Sequence, residues 1–499
     1  MEGLSFFFSR LKNGRILNIR MVAYVLGILL LLEGILFLLC SGVSLYYNEA
    51  SYKAFIYSFL INALLGTLFI LFGKDRRTTY SKRDGIAIVT FTWISFSLSG
   101  MVPNVLSGEI PSVTNAFFET MSGFTTTGAS ILDDIESMSH GILFWRSLTH
   151  FIGGLGMICF IIAIMPIFGR TDEHLFSAEA TGVFFDKTHP RISVMLKWIW
   201  TTYITLTAIV AFLLWLGGMS VFDAVCHAFA TTATGGYSTK QNSIAYWDSP
   251  FIEYVIAIAM LLSCVNFSLY YFMFIKRKCS RFFKDREVRW FFGSVAVITV
   301  LITLTLFFET DRTFEESFRK AFFQTASLHT STGFATDDFM TWPQITWALI
   351  LFAMLAGGCT GSTGGGIKNM RIMIAYYNIK NEFKRLVSPN IVLPITINGQ
   401  LVPQHKITAV FTFIVTYIFV IIFSTVVLLF FEIGFDEAFS LSVSSIGNVG
   451  PAFGDFGPSN SWSALPDFCK WYLSFIMLIG RLELFKVLVF FHPAYWTEY

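Results

Sequence analysis

Charge is scarce in this sequence: Asp, Glu, Lys and Arg make up only 14% of its 499 residues, while 54% are hydrophobic. A water-soluble domain carries roughly a quarter charged residues, so a soluble globular protein is excluded. The formal net charge of +2 gives no sign of nucleic-acid binding. Cysteine is scarce too. The seven cysteines, at 40, 159, 226, 264, 279, 359 and 469, are scattered, mostly in apolar runs, with no paired spacing. They read as small buried hydrophobes, not as a disulfide or metal framework. None of the eight histidines stands at a metal-binding spacing, and no nucleophile–base pair is evident. An enzyme acting on lipid or nucleotide therefore has nothing to work with, and the chain is read as non-enzymatic. A cleavable leader is also missing from the reading, because the basic N-terminus (Arg10, Lys12, Arg15, Arg20) runs straight into a full-length apolar segment.

What the sequence has in abundance is apolar length. A bilayer core needs about 20 apolar residues per helix. Ten such spans are expected, at 18–41, 54–73, 85–103, 142–168, 193–218, 251–275, 288–308, 345–379, 407–433 and 470–491. Many of the 56 Phe and 12 Trp fall at the ends of these runs, as in the aromatic belts of membrane proteins. Lys and Arg concentrate at the N-terminus and in 74–83, 276–289 and 368–406, alternating with connections poor in both. By the positive-inside rule, both termini are expected to be cytoplasmic.

A short Gly-centred loop occurs four times on the opposite side. The copies read Thr125-Thr126-Thr127-Gly128, Ala233-Thr234-Gly235-Gly236-Tyr237, Thr330-Ser331-Thr332-Gly333-Phe334 and Gly447-Asn448-Val449-Gly450-Pro451. The key glycines are 108, 97 and 117 residues apart. Each follows a segment too short to span (113–124, 221–232, 314–328, 435–445), with Thr114, Asp223, Thr313 and Asp436 as expected helix caps. The last eight spans thus form four units of span, short helix, loop and span. Each unit has an even number of crossings, so all four share one orientation and can close around an axis along the membrane normal. The expected division is a peripheral two-span unit at 1–84, then repeats at 85–170, 171–280, 281–390 and 391–499. The fold class is an all-α integral membrane protein with a pseudo-four-fold pore.

Non-helical backbone at membrane depth survives only where protein or water satisfies it. A Gly-rich strand lining a pore meets that condition, and a ring of backbone carbonyls can replace the water shell of a monovalent cation. Glycine suits the unusual φ values that this needs. The short helices would aim their C-termini at the ring, the end that favours cations, and Tyr237 and Phe334 would wedge two strands from behind. The fourth copy departs, with Asn448 and Val449 where the others carry mostly Ser or Thr, so fewer ion sites than in a uniform filter are expected. Acids in the outward connections (Glu109, Asp133, Asp134, Glu136, Asp337, Asp338, Asp455) are placed to concentrate cations at the mouth.

Two features lie below the loops. As one helix, the 345–379 run would be roughly 52 Å long against a core of about 30 Å. Its middle holds Gly357, Gly358, Gly361, Gly364, Gly365 and Gly366, six glycines in ten residues. It is expected to break there into a flexible intramembrane loop, a natural gate. A phosphate-binding loop is excluded, since Ile367 and Lys368 replace the Lys-Ser/Thr ending and no strand precedes it. Arg481 stands within the last span, and an intramembrane arginine is functional by default. It is expected below the filter, as a barrier to cations in touch with the Gly loop. The competing reading is an ion pair with an acid on another span. Glu483 points elsewhere and is the one acid to consider for coupled transport. Asn266 and His150 are read as packing residues, His150 as hydrogen-bonded and not a ligand.

The four loops, with Phe144-Trp145-Arg146-Ser147, Ile152-Gly153-Gly154-Leu155-Gly156, the 357–368 stretch and Gly480-Arg481-Leu482-Glu483, resemble the TrkH/KtrB superfamily of potassium transporters over about 85–491. The two extra N-terminal spans resemble the TrkH branch. The resemblance implies potassium uptake across a bacterial inner membrane through a filter at Gly128, Gly236, Gly333 and Gly450, with K+ as the transported ion. It implies a gating loop at 357–366 and a pore arginine at Arg481. It also implies a homodimer working with a cytosolic ring of TrkA-like regulatory subunits that bind NAD or ATP. This chain has no nucleotide fingerprint, so nucleotide control would come only through that partner. The stretch Cys264–Phe267 departs from the family by lacking a glycine before the cysteine. The alternative reading is a secondary transporter coupling K+ to Na+ or H+.

Overall fold

The computed structural model describes residues 17–76, 81–156 and 192–497, and their regular structure is helical apart from one short hairpin. Hydrocarbon offers a backbone no hydrogen-bond partners, so the apolar runs satisfy their own peptide groups as helices. Among the described residues, six helical spans are long and apolar enough to cross a membrane: Ile19–Tyr46, Tyr52–Phe72, Lys82–Ser107, Lys197–Leu216, Arg286–Glu309 and Gln404–Leu429. The first two form an antiparallel hairpin. Gly27 and Gly66 let their backbones meet, and a Cβ on Gly27 would sit 2.6 Å from the Gly66 carbonyl oxygen. The other four each precede one of four short helices, Val113–Phe124, Val221–Ala233, Phe314–His329 and Phe435–Gly447.

The caps of the short helices differ from expectation in three of four cases. Ser112 and Ser220 cap the first two through their hydroxyls, and Gly434 precedes the fourth; only Thr313 caps as expected. Thr114, Asp223 and Asp436 instead lie inside the first turn. Asp223 still contributes there, accepting the Ser220 hydroxyl at 2.7 Å.

The spans that follow the Gly loops are the broken ones. His140–Phe151 passes into a π-helical turn at Ile152–Gly156, and the rest of the expected 142–168 span lies outside the described residues. Gln344–Ala356 and Asn369–Val387 are separated by the Gly-rich loop, as expected. The runs 251–275 and 470–491 were expected to be continuous and are not. Pro250–Ser263 meets Phe267–Ile275 at 95°, and Asp467–Arg481 stops at Glu483 and Leu484, both with left-handed φ (59° and 52°). At the first break the Gly loop takes over the freed backbone groups: Cys359 N–H donates to the Cys264 carbonyl at 2.9 Å, and Phe267 N–H to the Gly361 carbonyl at 3.2 Å. Periodicity within the apolar run carries no trace of a partner supplied from 95 residues away.

Candidate functional site

The four short helices end at one place, and their chains continue as four strands. The strands share a backbone rhythm. Thr126, Thr234, Ser331 and Asn448 have φ of 53°, 55°, 55° and 52°; two residues later Gly128, Gly236, Gly333 and Gly450 have φ of 80°, 85°, 87° and 104°. Left-handed residues alternating with others turn successive carbonyls to the same side, whereas an ordinary strand alternates them. Each glycine also abuts the next strand. A Cβ on Gly128 would meet the Gly235 oxygen, one on Gly236 the Thr332 oxygen, one on Gly333 the Val449 oxygen, and one on Gly450 the Thr127 oxygen. The contacts run first to second to third to fourth and back to the first. The four segments therefore close a ring in chain order, each glycine set against the carbonyl that precedes the next strand's glycine.

The ring is held from behind by side chains. Tyr237 and Phe334 are buried; Tyr237 stacks on His150 at 4.1 Å and Phe334 on His227 at 5.7 Å between ring centres. His150 Nδ1 donates to the Gly123 carbonyl at 2.7 Å and Nε2 accepts the Tyr237 N–H at 3.2 Å, so the ring is neutral and structural. Hydroxyl pairs Thr125–Thr127 (2.8 Å) and Thr330–Thr332 (2.7 Å) brace the first and third strands. The other two have Gly235 and Val449 at the corresponding position. Asn448 ties its strand to the first strand and to the last span, donating to Thr127 Oγ1 at 3.0 Å and to the Met477 carbonyl at 2.9 Å. Pro451 lies against the third glycine, 2.9 Å from its Cβ position. On the side away from the short helices, a cavity of about 70 Å³ opens onto all four glycines.

An ion pair beside the ring was not anticipated from the sequence. Arg146 Nε donates to Glu119 at 2.8 Å, with both side chains almost wholly buried (3% and 1% exposed). The guanidinium also lies 4.0 Å over the Tyr237 ring and donates to the Ser238 carbonyl at 3.1 Å. One pair thus links the first short helix to the second strand. The available signal was a lone Glu in a short apolar helix. The expected mouth acids are largely occupied: Glu109 accepts Ser139 N–H and hydroxyl, Asp133 accepts Ser463 Oγ, Asp134 caps Ser137, Asp337 pairs with Arg312, Asp338 caps Met340, and Glu136 pairs with Lys240.

Directly under the ring lies the loop 357–368. Gly365 N–H donates to Ser331 Oγ at 2.6 Å, and Thr363 Oγ1 donates to the carbonyls of Thr232 (3.3 Å) and Ser263 (3.2 Å). Gly357, Gly361 and Gly366 carry φ of 71°, 76° and 75°, while Gly358 and Gly364 pack against Cys264. Lys368 is buried and returns its ammonium to the Gly364 carbonyl. Arg481 donates to the Thr363 carbonyl at 2.8 Å on the loop of the third unit, and to the carbonyls of Gly153 and Gly154 (2.8 Å to the latter) in the first. First and third are opposite members of the ring, so the guanidinium bridges across the underside. Glu483 is turned from Arg481 and pairs instead with Arg371 at 2.7 Å. Among the described residues no group of three or more His, Cys, Asp or Glu is arranged to hold a metal.

Comparison with known proteins bears on this geometry. A family model described as TrkH, cation transport protein, matches residues 51–497. The chain is similar to the Trk system potassium uptake protein TrkH of Escherichia coli K12, at 35% identity over 97% of this chain and 100% of that one. It is also similar to the Trk system potassium uptake protein TrkG of the same organism, at 31% identity over 96% and 99%. Among solved structures, that of the potassium transporter TrkH from Vibrio parahaemolyticus matches with a TM-score of 0.86 and 32% identity, covering 96% of this chain and 99% of that one.

Proposed function

The chain belongs to the TrkH family of cation transport proteins, and from that premise we propose that it takes up potassium through the four-strand ring. The family is one of membrane transporters and not of enzymes. The relatives are named for potassium uptake, and the carbonyl ring offers what that task needs. The observation that carries the reading is the closed cycle of glycine-to-carbonyl contacts, 128 to 235, 236 to 332, 333 to 449 and 450 to 127. Carbonyls held at fixed spacing by four neighbours replace a hydration shell without reorganising. The short helices then act as pore helices with their C-terminal dipoles toward the ion. In this reading Thr125 to Gly128, Thr234 to Tyr237, Ser331 to Phe334 and Asn448 to Pro451 form the filter. The loop with Gly357, Gly358, Gly361, Gly364, Gly365 and Gly366 is the gate, and Arg481 both pins the loop and repels cations. The repeats are 85–170, 171–280, 281–390 and 391–499.

The same reading extends to surroundings. The protein sits in a bacterial inner membrane with both termini cytoplasmic, as a homodimer regulated by TrkA-like cytosolic subunits that bring NAD or ATP to the complex. Coupling to Na+ or H+ is the less favoured reading, since the acid best located for it, Glu483, is engaged by Arg371.

The test is flux of K+, Na+ and Rb+ in vesicles, for the natural chain and Gly333→Ser. A side chain at φ 87° facing the Val449 oxygen should lower the K+/Na+ ratio by at least about tenfold, the factor that ~1.4 kcal/mol of lost coordination gives. An unchanged ratio would remove the filter assignment.

A further inference from the structure

The loop under the ring is tied to the rest of the protein by a carboxyl group that the functional reading does not use. Glu287 lies in the first turn of Arg286–Glu309 and is 4% exposed. Its Oε1 accepts two backbone N–H groups at once, Thr360 in the Gly loop at 2.7 Å and Met370 at the start of Asn369–Val387 at 3.1 Å. One oxygen thus joins the loop to the helix that leaves it, and both to the first helix of the third unit. The start of the helix that carries the carboxyl is itself fixed. Asp285 caps its helix at Val288 N–H (3.1 Å) and accepts Asn398 Nδ2 at 2.7 Å, while Arg286 N–H donates to Asn398 Oδ1 at 2.9 Å and its guanidinium to the Thr396 carbonyl at 2.9 Å. Asn398 is in the turn of the two-stranded hairpin Thr396–Ile397 and Gln400–Leu401. A cavity of about 730 Å³ lies against this junction, bordered by Glu287, Thr360, Met370, Asp285 and Asn398. Thr360 thus borders open volume on one side and is held by a hydrogen bond on the other.

We infer that Glu287 is a latch for the intramembrane loop: a positioning residue whose two backbone bonds hold the segment 357–368 under the filter in the shut arrangement. This rests on the proposed reading of that segment as a gate. The hydrogen bonds to Thr360 and Met370 lower the energy of this arrangement alone, so losing them shifts the population toward states with the loop withdrawn.

The test compares full-length natural chain, Glu287→Ala, Glu287→Gln and a chain lacking Gly361–Gly365, in vesicles under a K+ gradient. It also measures amide hydrogen exchange of 357–368 in each. Glu287→Ala should raise K+ flux about tenfold, the ratio for ~1.4 kcal/mol of lost bonding, with faster exchange in the loop and an unchanged K+/Na+ ratio. Glu287→Gln keeps an acceptor oxygen and should stay within about threefold of the natural chain. Should Glu287→Ala fail to fold, Glu287→Asp draws the carboxyl back by one methylene and should raise flux and exchange in the same direction. Natural flux and exchange in Glu287→Ala or Glu287→Asp, with a leaky loop deletion, would overturn the latch and leave the gate standing. A loop deletion that is not leaky would overturn the gate and the latch with it.

Discussion

At the scale of single residues, most of the site is a matter of φ angles and buried charge. Thr126, Thr234, Ser331 and Asn448 occupy the left-handed region without being glycine, at a cost of roughly 1–2 kcal/mol each. That cost is met locally: each follows a helix C-terminus, and the strands are braced by bonds such as Thr127 N–H to the Ser122 carbonyl and Thr332 N–H to the Ser327 carbonyl (2.9 and 2.8 Å). Arg481 presents the sharpest electrostatic question. A unit charge ~10 Å from a cation raises its energy by ~1.7 kcal/mol at an effective dielectric of 20. Arg481→Gln should therefore raise K+ flux in vesicles by about tenfold or more, and loosen the loop through the lost bond to Thr363. Natural flux from a folded Arg481→Gln protein would assign the arginine a purely structural role.

At the scale of elements, the distinction is between helices that cross unbroken and helices that break. The span before each short helix runs its full length with at most a one-residue turn, at Met101 in the first, and the run after each of the four ring loops leaves the α-helix partway along. Each described interruption has an identifiable partner. The Gly loop serves the break at 264–266, Arg371 holds the one at 482–484, and Arg481 caps the π-helical turn at Gly153 and Gly154. Asn266 starts the second half of its span by accepting the Ser268 N–H at 2.9 Å, and Gly361 packs on its amide. Asn266→Ala should cost about 1 kcal/mol, the usual value of an N-cap. It should be visible as faster hydrogen exchange over 264–275, with the filter strands unaffected.

At the scale of the whole molecule, the N-terminal hairpin is peripheral to the ring but not idle. Its turn supplies Glu49, which accepts N–H groups of His140 (2.8 Å) and Gly141 (3.1 Å) and the His140 ring at 2.7 Å. It thereby caps the helix that carries Arg146. Asn62 adds a bridge inside the membrane, accepting the Ser99 hydroxyl at 2.6 Å and donating to Glu33 at 3.2 Å. Glu49→Ala should lower stability by about 1–2 kcal/mol, read as a lower midpoint of thermal unfolding in detergent. The K+/Na+ ratio should not move, because the hairpin's bonds to His140, Gly141 and Ser99 lie outside the four ring strands. A changed ratio would mean that the hairpin shapes the filter.

The sequence by itself determined the class of protein, the repeated order of spans and short helices, the glycines of the ring and the loop that must break. Those follow from local arithmetic: apolar length against bilayer thickness, and glycine where an L-residue is strained. Tertiary structure decided what depends on distant partners. It revealed that the spans at 251–275 and 470–491 break, because their freed backbone groups are taken up by the Gly loop and by turns that Arg371 steadies. It moved three caps by two or three residues, joined Arg146 to Glu119, tied most of the mouth acids to local donors, and set Glu287 against Thr360 and Met370. Hydrogen bonds between segments tens or hundreds of residues apart leave no period or composition in either segment, so only the folded chain can reveal them.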